Sequence, residues 1–110
     1  MQRRLGQSGL VVMVAGLQLI NFASLGLAAD QSAGNIFATN NCARCHATGK
    51  TGNSPYPKAP PFRIIARKYV LEDLSEALAE GIFTGHNTMP EFTLSTRQID
   101  DLLAYLNTLK

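Results

Sequence analysis

Cys42-Ala43-Arg44-Cys45-His46 is the stretch on which the reading of this chain turns. Two cysteines three positions apart lie on one face of a helical turn, so both sulfurs can reach the two vinyl groups of a single porphyrin. His46 follows directly, about one turn on from Cys42, and can present an imidazole nitrogen to an iron from the same side. Cys42 and Cys45 are the only two cysteines in the 110 residues, so neither has a further thiol to pair with. The pattern reads as covalent attachment of one haem c through both cysteines, with His46 as an axial ligand.

Three other readings of the same residues stay open. A redox Cys-x-x-Cys site normally starts a helix in a βαβ setting, and nothing in this chain reads as a parallel sheet. Zinc could be assembled from Cys42, Cys45, His46 and His86, although adjacent ligands at Cys45 and His46 close awkwardly round a tetrahedral ion. A Cys42–Cys45 disulfide would close a very small loop and stabilise little.

Upstream of the motif, Arg3 and Arg4 form a short positive region and an apolar stretch runs from about Leu10 to Ile20. Small residues follow at Gly26, Ala28 and Ala29, just before the composition turns polar at Asp30. This is the layout of a secretory signal peptide over residues 1–29, cleaved after Ala28 or Ala29. Gly26 favours Ala28, because it supplies the small residue two places before it. An uncleaved membrane anchor is the competing reading, weakened by Gln18, Asn21 and Ser24 within the apolar run. The expectation is a periplasmic protein with no stable membrane span once the leader has gone. Export suits the cysteines, since c-type haem is attached outside the cytoplasm.

The precursor carries ten basic and eight acidic residues and a pI near 8.7. The leader takes Arg3 and Arg4 with it, which leaves eight against eight and a formal net charge of zero. With no basic excess and no interleaving of basic and aromatic residues, a nucleic-acid partner is not expected. Lys50, Lys58, Arg63, Arg67 and Lys68 follow the motif, with Glu72, Asp73, Glu76 and Glu80 close behind, as ordinary solvated faces would have it.

Residues 30–110 make one small domain, of a size that buries a limited core and often needs a metal or cross-link. No stretch alternates as a strand, and the fold class is all-α, with three to four short helices and loops round the haem. The first helix is predicted from about Ser32 into the cysteine motif. Residues 48–61 hold Pro55, Pro57, Pro60 and Pro61 with Gly49 and Gly52, and read as loop. Short helices are predicted over Phe62–Tyr69 and Leu71–Glu80, the second with Leu74, Ala77 and Leu78 inward and Gly81 as its stop. Residues 82–94 read as a second loop. The last helix is signalled by a Ser95/Gln98 capping box, a Leu94–Ile99 staple, and a stripe of Ile99, Leu102, Leu103, Leu106 and Leu109.

A sixth iron ligand would come from the second loop. After the leader, Met89 is the only methionine left and His86 the only histidine besides His46. Met89, followed by Pro90 in a glycine-containing segment, is the expected ligand. His86 is the competitor, and an open position is the third option.

In these residues the chain resembles the class I c-type cytochromes, specifically the small bacterial ones with a single haem. The likeness rests on Gly34 and Phe37 ahead of Cys42-Ala43-Arg44-Cys45-His46, on Ala59-Pro60-Pro61-Phe62, on Met89-Pro90, and on Tyr105-Leu106, and it spans residues 30–110. It implies that Gly34 lets the first helix cross closely against the last, with Phe37 near Tyr105. It also implies that Pro60 offers the carbonyl that accepts the His46 ring N–H. The family usually has Gly-Pro there, so Ala59-Pro60-Pro61 leaves Pro61 as the alternative.

The function expected is one-electron transfer in the periplasm with His46 and Met89 as metal ligands, and no catalysis. Redox proteins are the expected partners: a dehydrogenase, an oxidase or another cytochrome. Two alternatives remain: a haem subunit permanently docked to a dehydrogenase, and a haem enzyme or small-ligand binder with an open distal site.

Overall fold

The computed structural model describes residues 27–81 and 88–110, and within them four helices and no strand. The apolar run Leu10–Ile20, Arg3, Arg4, Gly26 and His86 lie outside the described residues. Among the described residues no helix is long and apolar enough to cross a membrane.

Helix α1 spans Gln31–Asn41 and starts one residue earlier than predicted. The cause is Asp30, whose side chain accepts hydrogen bonds from the backbone of Ser32 at 2.8 Å and Ala33 at 3.1 Å, a helix cap that an aspartate at this place offers. Contrary to the prediction, the helix does not run on into the cysteine motif. Ala43 N–H joins Cys42 N–H on the carbonyl of Ala38, which closes α1 at Asn41 and starts a separate turn.

Helix α2, Phe62–Lys68, begins where Pro61 can no longer donate a backbone hydrogen bond, and Phe62 and Ala66 are buried. Helix α3, Leu71–Glu80, is stopped by Gly81, whose φ of 89° suits glycine and strains other residues. Helix α4, Thr96–Asn107, carries both hydrogen bonds of the Ser95/Gln98 capping box. Its Ile99, Leu102 and Leu106 are buried, and Leu109 joins them from the turn that follows.

The core forms where α4 meets α1. Gly34 makes the close crossing possible: a Cβ there would strike the Asp101 carbonyl oxygen, lie 2.6 Å from its carbon and 2.8 Å from Tyr105 Cβ. Phe37 and Tyr105 both pack against this core. Asp101 is buried beside the crossing, and its carboxylate accepts from Asp30 N–H at 2.7 Å and from Arg97 Nε at 3.1 Å. Helices α2 and α3 complete the domain on another side of α4.

Candidate haem-binding site

The cysteine motif is a turn stitched to its surroundings at each end. Cys45 N–H and His46 N–H both donate to the Cys42 carbonyl, at 3.1 and 2.9 Å, which keeps the two sulfurs and the imidazole on one short arc. The loop that follows is tied back to it: Tyr56 N–H donates to Cys45 O, and Phe62 N–H to Ala47 O, at 3.1 and 2.9 Å. Ala47 N–H in turn donates to Ser54 Oγ at 3.0 Å. These ties bring residues fourteen apart in sequence together. His46 Nδ1 donates to the carbonyl oxygen of Pro60 at 2.7 Å, and between the two prolines it is Pro60 that meets the ring.

A carbonyl oxygen can only accept, so Nδ1 carries the proton of this bond, and in the neutral ring Nε2 is the nitrogen with the lone pair. His46 is itself buried, and the Phe62 ring packs against it at 5.4 Å between centroids, tilted by 55°. The imidazole is thus held in orientation and tautomer, the preparation a metal-binding histidine needs.

These groups line a cavity of about 530 Å³. Cys42, Cys45 and His46 come to it from the motif, Phe62 and Ile65 from α2, Leu102 and Leu106 from α4, and Met89 and Pro90 from the segment before α4. Helix α3 contributes Leu74, Ala77 and Leu78, the face predicted to point inward; these side chains are only half buried because the cavity lies in front of them. Met89 is also half buried.

A macrocycle with an apolar body fits this donor set. The walls are dominated by aliphatic and aromatic side chains, two thiols stand at one edge, and an oriented imidazole stands beside them. Neither cysteine is in a disulfide. Burial pushes the Cys42 thiol up to about 11, so in the folded chain it stays protonated and weakly nucleophilic at neutral pH. A redox role for the pair is poorly served by that. Nor do three His, Cys, Asp or Glu side chains converge as a metal site among the described residues, which removes the support for zinc there.

Two polar anchors of the site were not read from the sequence. Tyr105 Oη donates to the Thr48 carbonyl at 2.6 Å, fastening α4 to the loop behind the motif, and Asp101 holds the start of α1. Both join residues more than fifty positions apart, and no local pattern signals them.

A family profile described as "Cytochrome C oxidase, cbb3-type, subunit III" matches residues 28–106. Cytochrome c-552 of Bradyrhizobium diazoefficiens is 32% identical over 94 residues, covering 86% of this chain and 88% of that protein. Cytochrome c6 of Nostoc sp. (strain PCC 7120) is 34% identical over 99 residues, covering 88% of this chain and 86% of the relative. No solved structure matches. The match runs through the attachment pair and all four helices, and the chain belongs to the small class I c-type cytochromes, electron carriers with one covalent haem c, held here by Cys42 and Cys45.

Proposed function

We propose that this protein is a periplasmic one-electron carrier, exported by the segment 1–29 and ligating its haem iron through His46 and Met89. The observation that carries the reading is the His46–Pro60 hydrogen bond at 2.7 Å, which leaves Nε2 as the ring nitrogen available to a metal in a cavity that Met89 also lines. When bound, the haem supplies a one-electron couple. The chain's part is to hold that couple still. Pro60 fixes the imidazole and raises its basicity, so little reorganises when the charge changes. A thioether sulfur from Met89 favours the reduced state and moves the potential upward. The apolar walls from Phe62, Leu74, Leu78, Leu102 and Leu106 keep water from the metal.

The leader reading is supported by Arg3, Arg4, the apolar run and the small residues before Asp30. The family description names an oxidase subunit, and this favours a second reading, a component bound to a larger redox complex. Purification of the native protein under mild conditions separates the two: a carrier elutes alone, a subunit with its complex.

Ligation is tested by substitution. Met89→Ala is expected to abolish the sulfur-to-iron charge-transfer band of the oxidised protein, lower the potential and admit cyanide or carbon monoxide. His86→Ala is expected to leave the band in place. The reverse pattern would move the ligand to His86. Intact mass of the exported holoprotein reports covalent haem and leader removal together.

A further inference from the structure

Asp101 is a nearly buried carboxylate on α4 that turns away from the haem cavity and towards the start of the folded domain. Its side chain is 10% exposed and accepts from Arg97 Nε at 3.1 Å and from the backbone nitrogen of Asp30 at 2.7 Å. The second length is that of a charge-assisted bond. Asp30 is built into the domain through every polar group it has. Its nitrogen is on Asp101, its side chain accepts from Ser32 and Ala33, and its carbonyl accepts from Gly34 N–H at 3.0 Å. Residues 27–29 are exposed, Leu27 at 84%, and a long bond of 3.4 Å from Arg97 Nη1 to the Leu27 carbonyl ties them to α4. Charge at this seam does not balance. Two carboxylates, Asp30 and Asp101, stand with one guanidinium, Arg97, in the only ion pair among the described residues.

We infer that the mature chain begins at Asp30 and that Asp101 is the seat of its α-ammonium, which rests on residues 1–29 being a leader, as proposed above. Processing thereby adds an ion pair to the α1–α4 crossing. The step is one hydrolysis by a leader peptidase. Water adds across the Ala29–Asp30 bond, the new carboxylate leaves with Ala29, and the nitrogen stays behind as the ammonium of Asp30. That nitrogen already stands on Asp101 Oδ1, so a neutral donor becomes a cationic one without moving. Its partner is nearly buried, where salt screens little. The positive end of α1 opposes a cation here with roughly half a charge, and the Asp30 carboxylate on Ser32 and Ala33 N–H offsets it with a whole one. Gly26 speaks for a cut after Ala28, but that cut would leave the Asp30 nitrogen an amide and put the ammonium on exposed Ala29. Only a cut after Ala29 places the charge on the atom that Asp101 holds.

The test uses the exported holoprotein. Its intact mass is expected to be that of Asp30–Lys110 with one haem. A chain beginning at Ala29 would overturn the inference and leave the leader reading standing, whereas a chain that keeps residues 1–29 would defeat both. The second readout is the nitrogen-15 resonance of the Asp30 amine followed against pH. An α-amine ordinarily titrates at about 7.7–8.0, and pairing with Asp101 should raise that by about one unit. An unshifted amine in wild type would overturn the seat. In Asp101→Asn the value should return to the ordinary range. Stability should follow with the matching sign. The unfolded chain gives up this proton first, so the pair's contribution is complete below about pH 7.7 and is lost as pH rises through the folded value. The gap in denaturant midpoint between wild type and Asp101→Asn should therefore narrow above about pH 8. Asp30, Arg97 and Asp101 are the charged groups at the seam, and carboxylates and guanidinium keep their charge from about pH 7 to 10. Tyr105, also at the crossing, ionises only above 10.0. A gap of constant width would overturn the inference. Should Asp101→Asn fail to fold, the wild-type mass and amine titration decide alone.

Discussion

The α1–α4 crossing and the α3 side of the molecule bury apolar surface on different terms. At the crossing, protein meets protein: Gly34 and Ala38 are buried away from the cavity, and Gly34 lies against the Asp101 backbone too closely for any side chain. On the other side, α3 buries only Leu71 fully and turns Leu74, Ala77 and Leu78 towards a cavity of about 530 Å³. One half of the core is made of chain, and the other half leaves a cavity in which a cofactor would complete it. A domain this small has no spare apolar surface to fill such a space.

The largest effect is expected from emptying the cavity. Replacing both cysteines, Cys42→Ala with Cys45→Ala, should yield protein without covalent haem that no longer unfolds cooperatively. Hydrogen exchange should show α3 amides losing protection before those of the crossing, because α3 packs on a filler and α1 on α4. A haem-free variant melting at the wild-type temperature with α3 protected would show the two halves to be equally self-sufficient.

Gly34→Ala attacks the other half. The new methyl meets the α4 backbone at Asp101, and helices cannot yield as a flexible side chain does, so a loss of about 1–3 kcal/mol or more is expected in denaturant unfolding of the holoprotein. The absorption spectrum of the haem should be unchanged. A spectral change without a stability loss would mean that the crossing and the cavity are not separable.

The smallest effect joins the halves. Tyr105→Phe removes the bond to Thr48 and should cost about 1 kcal/mol at pH 7. Burial raises the Tyr105 pKa above its ordinary value of 10.0. The unfolded chain therefore ionises first, and the tyrosine's contribution, complete below about pH 10, is lost as pH rises through the folded value. The difference between wild type and Tyr105→Phe in unfolding free energy should accordingly shrink above that pH. A constant difference on both sides would contradict the burial.

Much of this was legible in the residues, and the reason is range. The capping box at Ser95 and Gln98, the stripe along α4 and the Gly81 stop all act within a few positions, so they can be read directly. The end of α1 was misplaced because Cys42 and Ala43 share one Ala38 carbonyl, a choice between two turn geometries that residue types do not dictate. The early start of α1 was readable, since an aspartate before a helix is a common cap. His86, the rival ligand, lies outside the described residues.

By itself the sequence determined the all-α class, the element boundaries to within a residue or two, and the attachment of haem through Cys42 and Cys45, because helical periodicity and the spacing of two thiols are local geometry. Only the tertiary structure decided that Pro60 and not Pro61 meets His46, that Asp101 holds the first amide of α1, and that Tyr105 fastens α4 to the loop behind the motif. Each of those hydrogen bonds spans fourteen or more residues, and its partner is set by how the helices cross and the loop returns, which depends on the whole packed chain.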